Sequence, residues 1–265
     1  MLNIDKFIAP SNLEEAYQIL QSRQDAVLLG GCGYLRLADR KIGTAIDLAG
    51  LDLDYIHESE GDISFGAMTS LRTIETNPIS CSLGTGVLSA AVRDIVGVQL
   101  RQAATIGGSV AGRYPFSDPV AALLALDARL VFHANGTMRL EDYLAAKPLR
   151  DILIEIIVPN NNCLAAFCSL RKAKTDYSVL NVAVAKNGND FRIVVGSRPA
   201  RAVRVNIAEE YLAQRGLNDQ TLSEVGSLVS ENLTFGSNPR GSSEYRKAIC
   251  PVLVQRALAE VMHAI

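Results

Sequence analysis

The amino-acid sequence predicts an α+β protein, with an N-terminal region of two subdomains followed by a small C-terminal domain built from an antiparallel sheet and helices. Three observations predict it. The first fifty residues read helix–strand–loop–strand, an α/β unit, and from about residue 53 the strands become shorter and mix with helices. Past a polar break at PNNN (159–162), two strand patterns joined by Asn187-Gly188 precede three helical stretches. At 265 residues the chain also exceeds the usual size of a single core. The division expected is 1–160, itself split into 1–52 and 53–160, and then 161–265.

Each element has a local reason. SNLE (11–14) after Pro10 has the pattern of a capping box, and Leu13, Ala16, Tyr17 and Leu20 follow at helical spacing. AVLL (26–29) reads as a short buried strand, and TAIDL (44–48) as the next apolar run. DISFG (62–66) alternates as a strand does, and helices are expected over 71–76, 86–96 and 119–126, the last with Pro119 in its first turn. RLVFHA, then Asn135-Gly136, then TMRL is a hairpin pattern, because Asn-Gly suits a type I′ turn. A strand is expected over 152–158, followed by strands over 178–185 and 191–195 and helices over 207–215, 221–232 and 243–263. Pro251 should kink the last helix or split it in two.

Composition narrows the function classes. Apolar residues make up 48% of the chain and charged residues 20%, as in an ordinary packed protein, and the net charge of −2 argues against a nucleic-acid or acidic-membrane partner. The N-terminus lacks a basic stretch followed by an apolar one, and no window approaches the ~18 apolar residues of a membrane span, so a cytoplasmic location is expected. The five cysteines are scattered, without the tight spacing that holds zinc or an iron–sulfur cluster, and are read as free thiols. His57, His133 and His263 lie outside every motif.

Two glycine-rich stretches carry the chemistry. GGCG (30–33) follows a strand but lacks the G-x-G-x-x-G spacing of a dinucleotide fold and the Gly-Lys-Ser/Thr of a P-loop. TIGGSV (105–110) is too rich in glycine to read as a good helix. Taken singly, each is equally a tight turn with no ligand. Taken together, two stretches of bare main chain suit a pyrophosphate, which needs several N–H donors and little steric hindrance. Asp118, acceptor-only when ionised, suits sugar-like hydroxyls instead. A diphosphate beside a polyol or ribose is a dinucleotide.

The same residues carry a resemblance. TIGGSV with the SDP of 117–119 and the following AALLALDA (121–128) resembles the second FAD motif of the flavoprotein subunit of molybdenum hydroxylases, the family of xanthine dehydrogenase and aerobic carbon monoxide dehydrogenase. AVLLGGCGYL (26–35) resembles its first motif, and FGAMTSL (65–71), the stretch 167–186, IVVGSRPARA (193–202) and SEYR (243–246) resemble later segments in order. Cys32, Gly33, Ser109 and Tyr114 stand where the family usually carries other residues.

The resemblance implies a two-subdomain FAD-binding fold of the vanillyl-alcohol-oxidase/PCMH-like type, with non-covalent FAD between the subdomains. Carried over residue by residue, Leu29, Gly30, Gly31, Cys32, Gly33 and Tyr34, with Thr105, Ile106, Gly107, Gly108 and Ser109, would cradle the phosphates. Asp118 would bind ribityl or ribose hydroxyls, and Arg171 and Lys172 would approach the flavin or its acceptor. Implied partners are an iron–sulfur (2Fe–2S) subunit, a molybdenum-cofactor subunit and NAD or another acceptor, with no acid–base catalyst in this chain. Two alternatives stay open: a flavin-free scaffold or assembly partner of such a complex, and a stand-alone flavin oxidase.

Overall fold

Three sheets, met one after another along the chain, organise the protein; the computed structural model describes residues 2–37 and 39–264. In the first unit, β1 (Asn3–Ile8), α1 (Leu13–Ser22), β2 (Ala26–Leu29) and β3 (Lys41–Asp47) form a parallel sheet of order β1-β3-β2. β1 escapes a sequence reading because it is an edge strand with most side chains in solvent, so no alternation marks it. The cap of α1 sits one residue later than the sequence pattern predicts. Asn12 accepts the N–H of Glu15 at 2.8 Å, while the Glu15 carboxylate reaches back to the N–H and Oγ of Ser11, both at 2.7 Å.

The second unit comprises β4 (Ile56–Ser59), β5 (Asp62–Gly66), α2 (Leu71–Thr76), α3 (Pro78–Ser82), α4 (Val87–Arg93), α5 (Val98–Ala103), α6 (Ile106–Ala111), α7 (Asp118–Ala125), β6 (Arg129–Phe132), β7 (Gly136–Arg139), α8 (Leu140–Ala145) and β8 (Leu153–Pro159). Its antiparallel sheet has the order β4-β5-β8-β6-β7. The expected hairpin forms, but its loop is the three residues 133–135 rather than an Asn135-Gly136 turn, and Gly136, at φ 65°, already pairs with Phe132. α4 ends three residues before the expected helix, where Val96 takes a positive φ of 46°. α6 is a helix despite its two glycines. Thr105 caps it by accepting the N–H of Gly108 at 3.1 Å, and Gly107 lies where a Cβ would come within 2.5 Å of the Ala67 carbonyl oxygen. Close packing there outweighs the ~1 kcal/mol that glycine costs in a helix.

In the third unit, β9 (Leu164–Leu170), β10 (Leu180–Asn187), β11 (Asp190–Gly196) and β12 (Val203–Arg204) form an antiparallel sheet of order β12-β11-β10-β9, followed by α9 (Asn206–Arg215), α10 (Asp219–Glu231) and α11 (Ser243–His263). The sheet has two more strands than the sequence suggested, and both of its faces are covered. Along β10, Leu180, Val182 and Val184 pack into the core under the last three helices. Ala183 and Ala185 belong to the core around α7, whose eight residues are all buried. Large residues on one face and small ones on the other let α7 sit close to the sheet.

α11 continues through Pro251 as one run instead of splitting there. The missing N–H and ring clash cost ~3 kcal/mol, but Cys250, Leu253, Val254, Ala257, Leu258 and Val261 are buried along the same helix. Each fully buried aliphatic side chain contributes ~1.5–3 kcal/mol, which offsets the proline.

At the start of α11, Arg246 is wholly buried. It donates to Val179 O and Gly236 O at 2.8 Å, to Asn238 Oδ1 at 2.7 Å, and to Gly241 O. Its charge is balanced by carbonyl dipoles from the β10 entry and the 236–241 loop. Arg246→Ala is expected to cost about 3 kcal/mol or more in urea unfolding, by orphaning several buried acceptors. Arg246→Lys should recover only a part, because a lysine cannot reproduce the planar fork.

Candidate functional site: a cleft between two glycine-bearing segments

A cleft of about 670 Å³ opens between the first and second units. Its walls include Gly30, Cys32, Gly33 and Tyr34 on one side and Thr105, Gly107, Gly108 and Ser109 on the other, with Ala67, Met68 and Ala104 at their junction. The two glycine-bearing segments touch. A Cβ on Gly30 would lie 3.0 Å from Thr105 Oγ1, and one on Gly33 2.9 Å from Ala104 Cβ. A Cβ on Gly31 would overlap the carbonyl oxygen of Ala103, and its φ of 27° is left-handed, so only glycine serves there.

The segments differ in what they offer. In the first, the N–H of Cys32 closes a tight turn onto Gly30 O, and Arg36 N–H returns to Cys32 O at 3.2 Å. Among the described residues, no acceptor pairs with the N–H groups of Gly30, Gly31, Gly33 or Tyr34. Such a row of free main-chain donors suits an anion. The second segment was expected to supply donors as well, and here the structure corrects the reading. Ile106 N–H bonds Thr69 O at 2.9 Å, Gly107 N–H bonds Ala67 O at 2.9 Å, and Ser109 N–H bonds Thr105 O at 3.0 Å. Gly108 N–H goes to the Thr105 cap. What this wall contributes is the bare main chain of Gly107 and Gly108 and the positive end of a short helix.

Other expected residues fall elsewhere. Leu29 and Ile106 are buried core residues outside the lining. Lys172 is exposed and donates to Pro239 O at 3.1 Å. Asp118, expected to accept from ligand hydroxyls, instead has its carboxylate engaged by the protein. Oδ2 accepts from Arg171 Nη2 at 2.5 Å, and Oδ1 accepts from Ser178 Oγ at 2.7 Å and Asn181 Nδ2 at 2.5 Å. Asp118 thus fastens the start of α7 to the third unit. Burial pushes its carboxyl up, against the lowering pull of the Arg171 charge and of the Ser178, Asn181 and Arg171 hydrogen bonds.

An aromatic wall, not anticipated from sequence, separates this ion pair from the cleft. Tyr34 meets Tyr114, Phe116 and Tyr177 at centroid distances of 5.4, 5.5 and 6.0 Å, and Phe116 meets Tyr177 at 4.5 Å. Behind the wall is a space of about 10 Å³, room for one water, lined by Ser109, Asp118 and Arg171. The Nε of Arg171 is buried there without a hydrogen-bond partner. Burial raises the Tyr34 and Tyr114 phenols, so both remain protonated donors at neutral pH.

Arg40, Arg150 and Asp151 also line the cleft. They belong to no glycine pattern, so periodicity and spacing could not find them. The Tyr34–Tyr114 contact had only a faint signal, two aromatics each within a few residues of a glycine stretch.

Asp118→Ala would leave the Arg171 guanidinium buried, at 7% exposure, without its counter-charge. A loss of about 3–5 kcal/mol in chemical denaturation is expected, with Asp118→Asn costing less because its amide oxygen still accepts from Ser178.

Comparison with known proteins accounts for this arrangement. Residues 3–161 match the FAD binding domain in molybdopterin dehydrogenase, and residues 165–261 match the CO dehydrogenase flavoprotein C-terminal domain. The chain is 30% identical to the uncharacterized protein YgfM of Escherichia coli over 98% of each chain. It is 27% identical to the glyceraldehyde dehydrogenase medium chain of Sulfolobus acidocaldarius, over 96% of this chain and 97% of that one. In fold it superposes on a chain of carbon monoxide dehydrogenase from Hydrogenophaga pseudoflava with a TM-score of 0.90, at 24% identity and 97% coverage of both. A chain of quinoline 2-oxidoreductase from Pseudomonas putida gives a TM-score of 0.88 at 21% identity, covering 98% of this chain and 97% of that one. This chain therefore belongs to the FAD-binding subunits of the molybdopterin dehydrogenase, or molybdenum hydroxylase, family.

Proposed function

We propose that this chain is the electron-transfer subunit of a molybdenum hydroxylase complex, taking electrons from an iron–sulfur (2Fe–2S) subunit that a molybdenum-cofactor subunit feeds, and passing them through non-covalent FAD to NAD or another acceptor. The observation that carries the reading is that Gly30, Gly33 and Tyr34, whose N–H groups are free, line a cleft whose other wall carries the bare main chain of Gly107 and Gly108. FAD supplies the redox chemistry when bound. The chain's residues bind, orient and exclude water.

In this reading the first segment hydrogen-bonds the diphosphate, and Gly107 and Gly108 let it lie against bare main chain between Thr105 and Ser109. Tyr34 and Tyr114 flank the flat part of the cofactor. Asp118 acts through Arg171, whose Nε is buried without a partner and which lines the space behind the aromatic wall. Support for partner subunits comes from the relatives' names: the glyceraldehyde dehydrogenase medium chain, the nicotine 6-hydroxylase medium subunit and a nicotinate dehydrogenase FAD-subunit are each one chain of several.

Adding FAD to the purified protein should give a bound flavin spectrum that survives gel filtration, whereas a flavin-free assembly partner would stay colourless. Dithionite reduction followed by NAD⁺ then reads acceptor use directly, by reoxidation. Gly107→Val should abolish retention, since its side chain would enter the Ala67 main chain.

Cys32 offers a probe that needs no variant. Burial and the nearby Asp47 carboxylate raise its thiol, so iodoacetamide should react slowly at neutral pH and faster only above the ordinary thiol range. Bound FAD should slow labelling of Cys32 severalfold further and leave exposed Cys81 unchanged. Equal labelling of Cys32 with and without FAD would place the cofactor elsewhere.

A further inference from the structure

Among the described residues, three charged side chains line the cleft: Arg40, Arg150 and Asp151. Two of them are committed to the protein. Arg150 donates to Leu20 O at 2.7 and 3.1 Å and to Arg23 O at 2.5 Å, holding the end of α1. Asp151 accepts from the N–H groups of Ala134, Asn135 and Ile152 and from Asn135 Nδ2. Arg40 is different. Its carbonyl is pinned by Asn3 N–H at 3.1 Å at the entry to β3, while its side chain is exposed on the cleft wall. The charge reaches the phenol of Tyr114, which also senses Cys32. Arg40 and Tyr114 therefore line the same cleft as Gly30, Gly33 and Tyr34, three of the residues with free N–H groups.

A diphosphate carries two negative charges. The free N–H groups of Gly30, Gly31, Gly33 and Tyr34 answer it with neutral dipoles only, and the N–H groups of residues 106–109 are already taken. We propose that Arg40 is the charge-recognition residue of this cleft, pairing its guanidinium with the diphosphate of the dinucleotide. The proposal rests on the FAD reading above and adds a residue that no glycine motif contains. A guanidinium fork suits phosphate oxygens, and its exposure leaves the contribution open to screening by salt.

The test compares wild type with Arg40→Gln and Arg40→Lys by titration of FAD and of riboflavin, which lacks phosphate, at low and high ionic strength. R40Q is expected to weaken FAD about tenfold, the effect of one charge-assisted hydrogen bond. It should leave riboflavin binding and the melting temperature of the ligand-free protein unchanged. R40K should retain part of the affinity. Wild-type FAD affinity should fall with salt, and this dependence should flatten in R40Q. FAD binding by R40Q equal to wild type, or an equal loss for FAD and riboflavin, overturns the role of Arg40 and leaves the FAD reading standing. A wild type that takes up no FAD overturns both.

Discussion

The site depends on main chain meeting main chain. Ile154 O accepts the N–H of Ala67, Ala67 O accepts the N–H of Gly107, and the residues just before Gly107 lie against Gly30, Gly31 and Gly33. This staircase runs from the central strand of the second sheet to the end of β2 in the first. A side chain at Gly31 or Gly107 would push two steps apart, because its Cβ would meet carbonyl oxygen rather than a flexible side chain. The relative position of the first two units, and with it the width of the cleft, follows from this contact.

A second constraint comes from behind. Asp118 opens α7, a helix with every residue buried, and binds Arg171, Ser178 and Asn181 of the third unit. The core around α7 takes in Ala183 and Ala185 from β10 and Val194 from β11, so hydrophobic burial and a buried ion pair act at the same junction. An ion pair this deep has a large desolvation cost and contributes less to net stability than to geometry. Here it holds Arg171 in place behind the aromatic wall.

Much of the architecture was legible because its periodicity is strong. α2, α7, the β6–β7 hairpin, β8, β10 and the last three helices lie within a residue or two of where pattern and turn chemistry put them. The misses share a cause. β1 is a mostly exposed edge strand, and β12 is two residues long, so neither buries enough side chains to leave a period. α6 was hidden because its glycines serve close packing, which no propensity reports. Arg40 and the aromatic wall were hidden for a different reason, since they meet only in three dimensions. Asp118 was visible as an unusual carboxylate, but sequence could not say that a buried arginine from fifty residues downstream would claim it.

The asymmetry between the two walls decides how the cleft can treat an anion. Had both glycine segments kept free N–H groups, the site would be a symmetric nest and charge recognition could rest on dipoles alone. In the structure one wall is saturated by its own helix and by the 66–69 segment, so that wall is rigid and contributes shape. The other wall keeps donors because its turn is too tight to satisfy them internally, and Gly31 can hold that turn only by sitting beneath Ala103. The contact that brings the segments together thus also leaves the first loop's donors free. Neutral dipoles orient an anion well but compensate its charge weakly, and the exposed cation at the entry to β3 lines the same cleft.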